Sequence, residues 1–255
     1  MSTLHRKLEV ARKRDENMID YEKQFEKGEY EVQAAENYML AKTFRIVYGW
    51  MTFALALSGA AAWYAYSSGL SERLIKNGGM TGCLIGELAL VFVLSLALRK
   101  MPVFLAFLMF IAYAALNGLT MSVIFMVYKL ESVQRVFFIT AAMFGGLAVY
   151  GSVTKDNLND IGKYCGMALW GLIIASIVNI FFKSSGLDWI VTFVGILIFT
   201  GLTMYDAQKV RAIAAQERSL DNETVAKLGL LGALELYLDF INLFLYILRL
   251  LGKRK

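Results

Sequence analysis

The chain has 255 residues, of which 58% are hydrophobic and 18% charged, with a formal net charge of +5. Soluble domains carry about 25% charged and 45–50% apolar residues, so this balance excludes an ordinary water-soluble domain and points to lipid as the solvent of the surplus apolar surface. The charge excess reads as loop lysines and arginines of a membrane protein rather than as a nucleic-acid footprint, and no nucleic-acid motif is present.

Residues 1–45 form a polar tail with nine basic and nine acidic side chains interleaved, the pattern of a solvated, partly helical segment or of disorder. The tail is too polar to hold the apolar core of a cleavable signal peptide. From residue 46 the pattern changes. Residues 46–71 carry no charge, and 78–98 are interrupted only by Glu87. Runs 101–128, 136–154, 164–182 and 189–205 are charge-free, and 228–248 contain Glu235 and Asp239. A helix needs about 20 apolar residues to cross the hydrocarbon core, so seven spans are expected. Period-two alternation is missing, which argues against a transmembrane barrel. The expected fold is an all-α integral membrane protein: tail 1–45, a seven-transmembrane-helix bundle over 46–251, and a basic end at 252–255.

Pro102 is placed for the first turn of the third span. Gly145-Gly146 and Gly229 with Gly232 offer close helix approaches. Cys83 and Cys165 lie in apolar runs without a CxxC neighbour and read as small core residues, not as a metal or disulfide site. With the N-terminus inside, the inner loops hold Arg99, Lys100, Lys155, Lys163, Lys209, Arg211, Arg218 and Lys227. The outer loops hold Arg73, Lys76, Lys129, Arg135 and Lys183. That asymmetry favours a cytoplasmic N-terminus, while Arg249 and the 253–255 end argue the other way.

A charge at mid-bilayer costs roughly 2.5–3.5 kcal/mol on insertion scales, so Glu87, Asp206, Glu235 and Asp239 each need compensation. At 100° per residue, Glu235, Asp239, Asn242 and Tyr246 fall on one stripe of the last span, which should face the bundle interior or a cavity. The alternative for Asp239, Asn242 and Tyr246 is interhelical hydrogen bonding that only holds the bundle together, though a neutral residue could make such a bond at Asp239 without the ionisation penalty. Asp206 has two readings. It is either an interfacial residue paired with Lys209 at i+3, or a partner for Asp239. Residues 207–215 lack glycine and proline, so the sixth helix is expected to continue beyond Asp206. Counted from the shared loop at 1.5 Å per residue, Asp206 and Asp239 differ in height by under roughly 8 Å, which tilt can absorb. Two such carboxyl groups in a dry site do not readily ionise together, which makes the pair a proton sensor. Once ionised, they offer hard oxygen ligands suited to Ca²⁺. Arg99, closing the second span, is either a latch that neutralises an aspartate or a snorkelling interfacial residue.

Enzyme chemistry is disfavoured. The single histidine, His5, lies in the tail, so no span carries the histidine of a His-ligated zinc hydrolase or a Ser–His protease. The last span has no mid-helix lysine for a retinal Schiff base.

Thr203-Met-Tyr-Asp206-Ala-Gln208-Lys209 resembles the sixth-helix signature of the Bax inhibitor family, also called the transmembrane Bax-inhibitor-motif family. Ala233-Leu-Glu-Leu-Tyr237-Leu-Asp239-Phe-Ile-Asn242-Leu-Phe244 resembles its last-helix signature, and Asn117-Gly118-Leu-Thr120-Met-Ser122 and Tyr150-Gly151-Ser-Val-Thr154-Lys155 agree with it. The resemblance covers roughly 43–252 and is of prokaryotic character. It implies a seven-helix bundle with the last helix central, in the inner membrane of a prokaryote. It also implies a pH-sensitive calcium leak whose sensor aspartates match Asp206 and Asp239 and whose latch arginine matches Arg99. Asn157 departs from the aspartate common at that motif position. No cofactor is expected, with Ca²⁺ as the ion bound or passed and the bilayer, Ca²⁺ and protons as partners. Glu87, Glu235 and Asn242 are candidate pathway or supporting residues. Two other functions compete: modulation of a membrane-bound protease through the tail, and proton-coupled transport by the buried carboxylates.

Overall fold

The computed structural model describes residues 2–98, 100–216 and 222–255. The helices are α1 (Ser2–Ser67), α2 (Leu70–Lys76), α3 (Gly79–Ala97), α4 (Val103–Met121), α5 (Val123–Val127), α6 (Leu130–Val153), α7 (Asn159–Phe182), α8 (Ser185–Gln216) and α9 (Asn222–Leu251). Among the described residues, the β pairing is confined to an isolated bridge between Tyr128 and Arg254. Seven stretches are long and apolar enough to cross a membrane: Glu26–Ser67, Gly79–Ala97, Val103–Val127, Leu130–Val153, Asn159–Phe182, Ser185–Ala215 and Glu223–Leu251. The all-α, seven-span reading therefore holds. The chain divides into two compact units, Met1–Lys42 and Thr43–Lys255. The first is the leading part of α1, with Tyr30 and Tyr38 exposed. The second contains the bundle.

The bundle is organised around α9. In its most apolar stretch 67% of residues are buried, against 6% for α3 and for α7. Leu236, Tyr237 and Leu243 are fully buried, and α9 packs on α8, α6 and α4. The peripheral helices do the opposite. α3 packs on α4 and α7 on α8, and both turn large apolar side chains outward: Leu96 and Phe181 are each 79% exposed. An outer face of that kind needs lipid, because water would leave its apolar area unburied.

Some helix ends differ from the apolar runs. α8 continues to Gln216, well past the charge at Asp206, as the 207–215 composition led one to expect. The run 101–128 is not one helix. It breaks between Met121 and Val123, where the Ser122 N–H bonds to both Gly118 O and Leu119 O and the Ser122 hydroxyl donates to Leu119 O at 2.5 Å. A serine that satisfies carbonyls of its own helix locally loosens the ladder, and Ser71 of α2 donates to Ser122 Oγ at 2.7 Å to hold the break. Pro102 caps α4 from outside its first turn, at φ −59° and ψ 144°. Residues 253–255 lie against the α5–α6 turn: Lys129 N–H donates to Lys253 O and Lys255 N–H to Val127 O.

Of the glycine pairs the sequence suggests for close approach, Gly229 with Gly232 packs closely and Gly145-Gly146 does not. A Cβ at Gly145 or Gly146 would meet nothing within 4 Å, so that pair faces open space. Gly232 does pack closely, with Val210 Cγ2 at 3.3 Å from its ideal Cβ position. The tightest approaches are backbone to backbone: Gly151 of α6 against Met204 of α8, and Gly118 of α4 against Ser58 of α1.

Candidate functional site

α8 and α9 run antiparallel, so a step down one helix matches a step back along the other. This places Asp206 opposite Asp239, and one turn nearer the connection between the helices it places Lys209 opposite Glu235. Asp206 and Asp239 share a side-chain hydrogen bond. Such a bond between two carboxyl groups uses a proton carried by one of them. Asp239 is only 4% exposed, and its Oδ2 is buried without a hydrogen-bond partner. Asp206 is half-buried. A buried, unsatisfied carboxyl oxygen is costly unless a proton or a cation completes it.

Lys209 does not make the i+3 ion pair with Asp206. It reaches across to α9 instead, with Nζ 2.5 Å from Glu235 Oε1. Both side chains are partly exposed, at 36% and 25%. Lys209 also interacts electrostatically with Asp206 and Asp239, and Glu235 does so with the same two groups. A third helix contributes Cys165 of α7, a free, half-buried thiol that interacts with Asp239 and whose Sγ occupies the space left by Gly201. Its apolar sequence context gave no sign of this position.

The remaining motif residues fix the site from outside. Gln208 bridges to the α6–α7 connection, with its Oε1 accepting from Leu158 N–H at 3.0 Å and its Nε2 donating to Asp156 O at 2.7 Å. Arg211 donates to Ser152 O and Thr154 O, each at 3.3 Å. Asn157, which departs from the motif, accepts from Asn159 N–H at 3.0 Å through Oδ1, a bond an aspartate would make equally well.

The other predicted residues fall elsewhere. Glu87 of α3 does not join the aspartates. Asn117 Nδ2 donates to its Oε1, and Thr120 donates to Oε2 at 2.9 Å. The Tyr237 hydroxyl donates to Asn117 Oδ1 at 2.9 Å and lies 2.7 Å from Ser58 Oγ. This polar chain occupies the opposite face of α9 from Asp239, because Tyr237 lies two residues away. Asn242 spends its amide on Leu238 O of its own helix at 2.8 Å. Tyr246 stacks on Phe199 and fills the space over Gly195. Arg99 lies outside the described residues.

The last-helix stretch thus meets the α4 stretch through Tyr237 and Asn117 and the α8 stretch through Asp239 and Asp206, and the α6 stretch packs on that of α8 through Gly151. Residues 40–255 match the family described as "Inhibitor of apoptosis-promoting Bax1". The chain belongs to this family. It is 45% identical over 211 residues to the "Inner membrane protein YbhL" of Escherichia coli (strain K12), covering 82% of this chain and 90% of that one. An uncharacterized protein of Borreliella burgdorferi is 41% identical over 224 residues, covering 86% and 94%. The uncharacterized protein RP147 of Rickettsia prowazekii is 35% identical over 242 residues, covering 93% and 100%. The chain is a multi-pass membrane protein of the Bax inhibitor family.

Among the described residues no three His, Cys, Asp or Glu side chains come together as a metal site. Two carboxyl groups supply oxygen ligands of the hard type that divalent cations take, fewer than a full oxygen cage requires.

Proposed function

We propose that this protein is a pH-sensitive Ca²⁺ leak of a bacterial inner membrane, with Asp206 and Asp239 as both the proton sensor and the cation site. The observation that carries the reading is the carboxyl pair itself: Asp239, with a buried Oδ2 that no N–H or O–H of another residue reaches, lies against the carboxyl group of Asp206. Such an oxygen is completed by a proton in acid and by a cation when both groups ionise. Ionisation favours the cation and protonation expels it, so Ca²⁺ passage rises with pH across the titration of the pair. The name of the Escherichia coli relative supports the membrane assigned here, and the loop charges support a cytoplasmic N-terminus.

The test is Ca²⁺ flux in proteoliposomes over a pH series. Asp206→Asn and Asp239→Asn are expected to flatten the pH dependence. Flux that keeps its pH dependence in both variants contradicts the sensor role. The interleaved charges of residues 1–45 support a second reading, in which the tail docks a membrane protease. Deleting residues 2–40 is then expected to abolish control of that protease.

A further inference from the structure

Asp239 is buried away from water, while Asp206 is half-buried. One helical turn toward the α8–α9 end of the bundle, about 5 Å along the axis, the same two helices are joined again by the Lys209–Glu235 ion pair, Nζ to Oε1 2.5 Å. Lys209 follows Asp206 by three residues and Glu235 precedes Asp239 by four, so each pair member lies on the same helix face as an aspartate. The ion pair is partly exposed, whereas Asp239 is 4% exposed. The ammonium therefore lies on the more exposed side of Asp239, one turn nearer the end of the bundle.

Titratable groups that interact at this position come from three helices. α8 brings Tyr205, Asp206 and Lys209, α9 brings Glu235 and Asp239, and α7 brings Cys165. The nearby Arg211 and Gln208 are committed to backbone carbonyls and an amide of the α6–α7 region. Among the described residues, Lys209 is the cation that interacts with both aspartates.

We propose that Lys209 is a tethered cation that gates the carboxyl pair. Glu235 anchors its ammonium over Asp206 and Asp239, and a mobile cation reaches them from the α8–α9 end only when that ion pair opens. This rests on the reading of the two aspartates as the cation site. It assigns Glu235 to positioning rather than to the ion path. The anchor is suited to the task because a partly exposed ion pair is weak enough to break on thermal timescales. A full positive charge beside two carboxyl groups competes directly with an incoming cation.

The test uses the full chain in proteoliposomes, with Ca²⁺ flux at fixed pH as the readout. Lys209→Met and Glu235→Gln are each expected to raise the leak several-fold. Lys209→Arg and the reversed pair Lys209→Glu with Glu235→Lys are expected to leak close to the unsubstituted level. A merely structural ion pair would lower thermal stability in the single variants without raising flux, and that result overturns the proposal. So does a reversed pair that leaks as much as the single variants. If Lys209→Met does not fold, Glu235→Gln and the reversed pair carry the same comparison. Failure of the gate is distinguishable from failure of the site. In the first case Asp206→Asn and Asp239→Asn still alter flux, and in the second they do not.

Discussion

Tyr237 and Asp239 stand two residues apart on α9 and face opposite ways, so the polar chemistry of this helix is divided into two clusters that do not touch. Tyr237 serves the structural one. Removing its hydroxyl in Tyr237→Phe leaves Asn117 Oδ1 and Ser58 without that partner, at a cost of about 1–3 kcal/mol for the stranded buried groups. A lowered melting temperature in detergent is the expected result, with the pH response of Ca²⁺ flux retained in protein that still folds. An unchanged melting temperature would count against the Ser58–Tyr237–Asn117 chain as a source of stability. Asp239 was legible in the sequence because a charge in an apolar run advertises its own penalty. Asp206 was legible as its partner because the helix after it has no breaker. The partner of Lys209 was not legible. An i+3 acid on its own helix and an acid on the next helix are equally good by sequence, and only the register of α8 against α9 selects Glu235. Cys165 was silent for a related reason: a small residue in an apolar run carries no mark of which helix face meets a carboxyl group.

The elements themselves followed from run length, since a charge-free stretch of about 20 residues has few alternatives to a spanning helix. Their interruptions did not follow. Ser122 lies in an unbroken apolar run, and the break there depends on Ser71 reaching it from α2, a contact with no local signature. Glycine spacing was an uneven guide, right for Gly229 and Gly232 and wrong for the adjacent pair on α6. Gly145 and Gly146 face open space, while Gly151, without a glycine beside it, lies against the Met204 backbone of the helix that carries Asp206. The consequence is a contrast between two substitutions. Gly151→Val forces α6 off α8 and is expected to destabilise by about 1–3 kcal/mol or more, while Gly145→Val, meeting nothing, is expected to stay within about 0.5 kcal/mol. Thermal melting of the two variants side by side checks this. Equal shifts would show that the α6–α8 approach is not as close as described.

At the scale of the whole molecule, a buried central helix is enclosed by helices with apolar outer faces, and the aspartates lie where that central helix meets α8. The carboxyl pair belongs to the unit Thr43–Lys255. Deleting residues 2–40 is therefore expected to leave both the Ca²⁺ flux of proteoliposomes and its pH dependence intact, and a lost pH dependence would implicate the tail in sensing. If proton and cation compete for one pair of carboxyl groups, as proposed, the competition must appear as linkage, each ligand displacing the other. It is measured most directly by adding Ca²⁺ to the purified protein in weakly buffered detergent and recording proton release with a pH indicator. Release on Ca²⁺ addition, lost in both Asp206→Asn and Asp239→Asn, is the predicted result. Ca²⁺ binding without proton release, or release undiminished in those variants, would contradict it.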